Sequence, residues 1–150
     1  ALAAIGRDVF HKDADPDRAA AAALFHDAPE IITGDMPTPI KYYNPAIKDA
    51  YKEVEAVAQD KLLSMLPPEL VPAYEPLVRE SDGAVRRYVK AADKLAAWLK
   101  CQEELKAGNS EFRRAADETM AALRDMGMEE VDWFMERLGH AFTLTLDDLG

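Results

Sequence analysis

Apolar side chains recur along this chain at intervals of three and four residues, and no stretch alternates apolar and polar positions between turn residues. That spacing marks helices that bury one face, so the pattern predicts an all-α protein, a bundle of about six to seven helices. From Asn44 to about Met65, the positions Ile47, Tyr51, Val54, Val57, Ala58, Leu62 and Met65 outline one buried face. A second long helix is predicted from Ser81-Asp82 to just before Gly108-Asn109, with Val85, Tyr88, Val89, Ala92, Leu95, Ala96 and Leu99 on its apolar side. Asp15-Pro16 and Asn44-Pro45 each combine a side-chain acceptor at the cap with a proline in the first turn, and so predict helix starts. Pro67-Pro68 ends one helix, and Glu69 to Arg79 follows as a short, proline-punctuated one. Asn109-Ser110 is predicted to cap a helix to about Asp125, and Glu129 to Leu138 forms the last, with Gly139 as its stop. Ala1 to Ile5 reads as the tail of a helix that begins upstream, His11 to Asp17 as a polar connection, and Thr143 to Leu149 fits no pattern.

At 150 residues with 49% hydrophobic composition, the chain fits a single domain, residues 1–150, with one core. Twenty-eight acidic against eighteen basic residues give a formal charge of -10, which argues against nucleic acid as a partner, because a phosphate backbone needs a basic face. The lone Cys101 can form no internal disulfide and has no companion for a zinc or redox motif, so a reducing, cytoplasmic setting is expected. No apolar run is long enough to span a membrane, and Ala1 to Phe10 lacks the features of a signal peptide.

Chemistry concentrates between Leu24 and Lys41. An alanine-rich run ends in the adjacent pair His26-Asp27, and Glu30 and Asp35 follow among the densest proline and glycine cluster in the chain, with Pro37-Thr38-Pro39 predicted as an irregular loop. Neighbouring imidazole and carboxylate can serve one divalent cation, so a metal site is one reading; a polar pair at a helix end is the other. Asp93 is the second oddity, an acid flanked by Ala91, Ala92, Ala96 and Ala97 on a face that reads as buried. A buried carboxylate needs a cation, donors or a metal. Lys90 and Lys94 offer the simpler alternative of a surface ion pair.

Together these pieces resemble the HD-domain phosphohydrolases, and among them the bacterial 5′-deoxynucleotidases of the YfbR type. The resemblance runs through His26-Asp27-Ala28-Pro29-Glu30, Thr33-Gly34-Asp35-Met36-Pro37-Thr38-Pro39-Ile40-Lys41-Tyr42, Val89-Lys90-Ala91-Ala92-Asp93, Leu99 to Leu105, Gly108 to Phe112 and Trp133 to Glu136. It implies an HD domain that hydrolyses deoxyribonucleoside 5′-monophosphates to deoxyribonucleosides and phosphate, with one divalent metal held by His26, Asp27 and Asp93. Glu30 matches the family's catalytic acid, Asp35 its sugar contact, and Thr38 and Lys41 lie in the same substrate-binding motif. The resemblance suggests cobalt or manganese; ligand type alone suits iron or zinc equally. It further implies a homodimer, and it sets a fourth ligand, a histidine, upstream of residue 1, so the N-terminal part of the domain is expected to be missing from this sequence. Two rival functions share these residues. One is another HD phosphohydrolase acting on deoxynucleoside triphosphates or a different phosphate ester; the other is a metal-free helical interaction module.

Overall fold

A computed structural model describes residues 1–36, 44–80 and 82–144. The described residues are helical with turns and no strand, as the spacing predicts. In chain order the helices are α1 (Leu2–Asp8), α2 (Pro16–Phe25), α3 (Glu30–Thr33), α4 (Pro45–Ser64), α5 (Val71–Val78), α6 (Gly83–Lys106), α7 (Arg113–Asp125) and α8 (Glu129–Leu138). Short 3₁₀ turns at Ser110–Phe112 and Gly139–Thr143 precede α7 and follow α8. The chain gathers into two compact units, residues 1–19 with 83–150, and residues 20–82.

Both predicted starts form as the caps require. The Asp15 carboxylate accepts the Arg18 backbone N–H at 2.9 Å, and the Asn44 side chain accepts that of Ile47 at 2.8 Å, each ahead of a proline. Asn109 does not cap α7. Gly108, at φ 90°, turns the chain so that the Asn109 N–H bonds back to the Glu104 carbonyl at 2.9 Å, and the Asn109 side chain donates to Glu104 Oε2 at 3.2 Å. The residue that looked like the start of α7 therefore closes α6, in the manner of a glycine-ended helix.

In the first unit α6 and α7 form the main pairing, and α1 packs on both α6 and α8. Leu2, Ile5, Val85, Tyr88, Leu95, Leu123, Val131 and Phe134 are buried there, along with the thiol of Cys101. α6 buries Val85, Tyr88, Val89, Ala91, Leu95 and Cys101, whereas Ala92 and Ala96 are exposed. Ala92, seven residues from Val85 and four from Tyr88, stands on the same side of the helix as both, so its exposure is set by what packs along that side and not by helix rotation, whereas Asp93 is turned about 100° further round. Asp93 is accordingly exposed, which corrects the expectation of a buried face around it.

In the second unit α4 packs on α3 and α5. It buries Tyr51, Ala58 and Leu63, a narrower set than the spacing suggested, and leaves Val54, Val57 and Met65 exposed at 50%, 68% and 68%. Val57 immediately precedes Ala58 and is therefore turned off the contact line, and Met65 lies beyond the last helical residue. α5 accommodates Pro72 in its first turn and Pro76 inside, and Val78 buries its C-terminal end.

Candidate functional site

α2 stops at Phe25, and His26 to Pro29 form a turn before α3. The bonds through this turn are of the short, three-residue kind: the Ala28 N–H to the Phe25 carbonyl at 3.0 Å, Glu30 to Asp27 at 2.9 Å, and Ile31 to Ala28 at 3.1 Å. His26 and Glu30 are therefore not on one continuous α-helix, because the backbone tightens between them. Pro29 is buried and Glu30 half-buried. Thr33 donates its hydroxyl to the Gly34 carbonyl at 2.9 Å, and Gly34, at φ 70°, supplies the left-handed step that releases the chain toward the exposed Asp35.

The turn brings His26 and Asp27 together. His26 Nδ1 stands 2.6 Å from the Ala23 carbonyl oxygen, and because a carbonyl can only accept, Nδ1 carries the proton in that bond. In the neutral ring the lone pair is then on Nε2, which lies 3.2 Å from Asp27 Oδ2. The pair meets the requirement of a shared cation: donors about 2.0–2.2 Å from one ion, at ordinary tetrahedral or octahedral angles, stand about 3.0–3.5 Å apart. An Nδ1 bond to a backbone carbonyl is also the usual way a ligating imidazole is held. The donor set thus fits a divalent metal, as one nitrogen and one carboxylate oxygen.

His26, Asp27, Glu30 and Asp35 belong to the second unit and Asp93 to the first. Among the described residues, no three His, Cys, Asp or Glu side chains are grouped to hold a metal ion. Thr38, Lys41 and the Pro37 to Pro39 loop lie outside the described residues. His11 and His140 are both exposed.

The first unit contains a polar cluster that nothing in the sequence singled out. Glu130 is only 2% exposed; its Oε1 accepts from Lys12 Nζ at 2.8 Å and from the Tyr88 hydroxyl at 2.8 Å. Lys12 also reaches Glu129 at 2.8 Å. His11, in the left-handed region at φ 54°, turns the chain after α1, and the Lys12 N–H bonds back to the Gly6 carbonyl at 2.9 Å. Burial alone would raise the Glu130 carboxyl, but the bonds from Lys12, its own backbone and Tyr88 hold it below the ordinary range. Burial and the Glu130 carboxylate push the Tyr88 hydroxyl up to about 12. Lys12, Arg87, Tyr88, Met128, Glu129 and Glu130 line a cavity of about 450 Å³ beside this cluster. In the sequence Glu130 is one of three first-turn acids of α8, and only packing distinguishes it from Glu129 and Asp132.

Among the described residues no helix is long and apolar enough to cross a membrane. Comparison with known proteins places the chain. The sequence model of the YfbR-like 5′-deoxynucleotidases matches residues 1–142. A 5′-deoxynucleotidase of Photobacterium profundum is 45% identical over 99% of this chain and 78% of its own length. One from Erwinia tasmaniensis is 46% identical over 99% and 76%, and the 5′-deoxynucleotidase YfbR of Escherichia coli is 44% identical over the same shares. At this identity and coverage the chain belongs to the YfbR-like 5′-deoxynucleotidase family and is a hydrolase.

Proposed function

We propose that the protein hydrolyses deoxyribonucleoside 5′-monophosphates to deoxyribonucleosides and phosphate, with one divalent metal at His26 and Asp27. The observation that carries this reading is the Nε2 to Oδ2 approach of 3.2 Å, with the ring anchored through Nδ1, in a chain whose relatives bear the name 5′-deoxynucleotidase. His26 and Asp27 would hold the ion, with Asp93 as the further carboxylate taken from the resemblance. Bound there, a divalent ion supplies the positive charge that polarises a phosphoryl oxygen and favours deprotonated water. Glu30 starts α3 three residues after Asp27, and its task is to orient the attacking water and move its proton. Asp35, beyond the Gly34 turn, contacts the sugar, and Thr38 and Lys41 are the further substrate-binding residues taken from the resemblance. Cobalt or manganese is the favoured ion. The buried, unpaired thiol of Cys101 suits a reducing compartment, and the reading is of a cytoplasmic homodimer.

Phosphate release from a panel of deoxyribonucleoside mono- and triphosphates and ribonucleoside monophosphates, with and without cobalt or manganese, tests the proposal. The expected result is metal-dependent turnover confined to the deoxyribonucleoside monophosphates. Equal rates on ribonucleotides, or full activity in chelator, would overturn it.

A further inference from the structure

The orientation of His26 depends on the last turn of α2, because its Nδ1 is bonded to the carbonyl of Ala23. That turn is itself fixed by an aromatic pair. The ring of Phe25, the last residue of α2 and the neighbour of His26, meets the ring of Tyr74 on α5 edge to face, with centroids 5.6 Å apart and planes at 87°. On α5, Pro72 and Pro76 fix φ at two positions, and Val78 is buried at the helix end. All of these residues belong to the second unit.

We propose that Tyr74 is a positioning residue for the site, which through Phe25 holds the end of α2 so that the Ala23 carbonyl keeps His26 protonated on Nδ1 and Nε2 beside Asp27. The chain of contacts is short. A rotation about the Phe25 backbone would swing His26 with it, and the edge-to-face contact opposes that rotation because such pairs lose energy on tilting. Tyr74 meets neither ion nor substrate in this scheme; its effect reaches the metal only through the imidazole. This inference rests on the metal reading above, and its test separates the two.

The test compares the native protein with Tyr74→Leu and Tyr74→Phe. Manganese or cobalt affinity is measured by calorimetry, and imidazole ¹⁵N resonances are recorded on the metal-free protein. The chain has three histidines, so His26→Gln identifies the signal. Far-ultraviolet circular dichroism monitors the helices. Tyr74→Leu is expected to keep its helix content, weaken metal binding by about tenfold, as groups supporting a ligand typically do, and move the His26 resonances off the Nδ1–H pattern. Turnover at saturating metal should recover. Tyr74→Phe, which keeps the ring edge, should restore affinity and resonances together. If Tyr74→Leu loses helicity, Phe25→Leu takes its place and must give the same two changes. Native affinity and native His26 resonances in the leucine variant would overturn the positioning role. A native protein that binds no metal would overturn the metal reading instead, and the ¹⁵N arm would still decide the role of Tyr74.

Discussion

The Nε2 of His26 lies 3.2 Å from Oδ2 of Asp27, although consecutive side chains on an α-helix diverge by about 100°. The approach is possible because α2 ends one residue earlier and both side chains leave from a turn. The pair is thus a product of helix termination, to which Pro29 contributes because it has no N–H to offer the Phe25 carbonyl, which accepts the Ala28 N–H instead.

On the proposed mechanism, Asp93→Ala and Glu30→Ala should fail differently. Loss of the Asp93 carboxylate should lower metal affinity and activity together, with partial rescue by excess metal. Glu30→Ala should keep its metal, while turnover drops roughly a hundred- to ten-thousandfold, beyond rescue. Metal content and phosphate release on the two proteins check this. An Asp93→Ala protein with native metal and rate would remove Asp93 from the site and leave it as an exposed acid.

Gly6→Ala should destabilise the protein, reversing the usual gain of about 0.5–1 kcal/mol for such a change inside a helix. A Cβ on Gly6 would overlap the Tyr88 hydroxyl and come within 3.0 Å of Glu130 Oε1. Both atoms are buried and bonded to each other, so they cannot move away cheaply. A loss of about 1–3 kcal/mol is expected, read from thermal or urea unfolding.

Stability should fall at both ends of the pH scale through the same cluster. The Tyr88 hydroxyl rises from 10.0 to about 12 in the fold, so its contribution is complete below pH 10 and is lost as pH climbs from 10 toward 12. Lys12, raised by its bonds to Glu129 and Glu130, acts in the same direction above 10.5. Glu130 is held below its ordinary 4.5, so its contribution is present above that value and disappears as pH falls beneath it. Urea unfolding of native protein and Tyr88→Phe across pH 8 to 12 tests the alkaline limb. The phenylalanine variant should start less stable and lose less as pH rises; parallel curves would exclude Tyr88 as the cause.

Two asparagines that look alike in the sequence should respond differently to alanine. Asn44 caps α4 with a 2.8 Å bond to the Ile47 N–H, and its loss should cost about 1 kcal/mol. Asn109 caps nothing, its side chain bonding only the half-buried Glu104, so Asn109→Ala should cost about 0.5 kcal/mol or less. Chemical denaturation of the two variants measures the difference.

Local chemistry was readable from the chain alone. Helix starts at Pro16 and Pro45 follow from an acceptor and a proline acting on the adjacent backbone, and the all-helical class follows from spacing, because both depend on residues within a turn or two. The motif around His26 and Asp27 was legible for the same reason: its residue types and spacing are local, and it carried the family. What the chain could not express was which part of each helix's apolar side is covered, which depends on partners distant in sequence. On α6 packing buried Val85, Tyr88, Val89 and Leu95 as the spacing predicted, but it also buried Ala91 and left Ala92 and Asp93 exposed. The same long-range packing buried Glu130 among Lys12, Tyr88 and Gly6, 118 residues from its cation, while its neighbour Glu129 stayed exposed. It also set Tyr74 against Phe25 beside the site. Periodicity reports that a helix has an apolar side; only the neighbours that fill the space against it decide which residues that side contains.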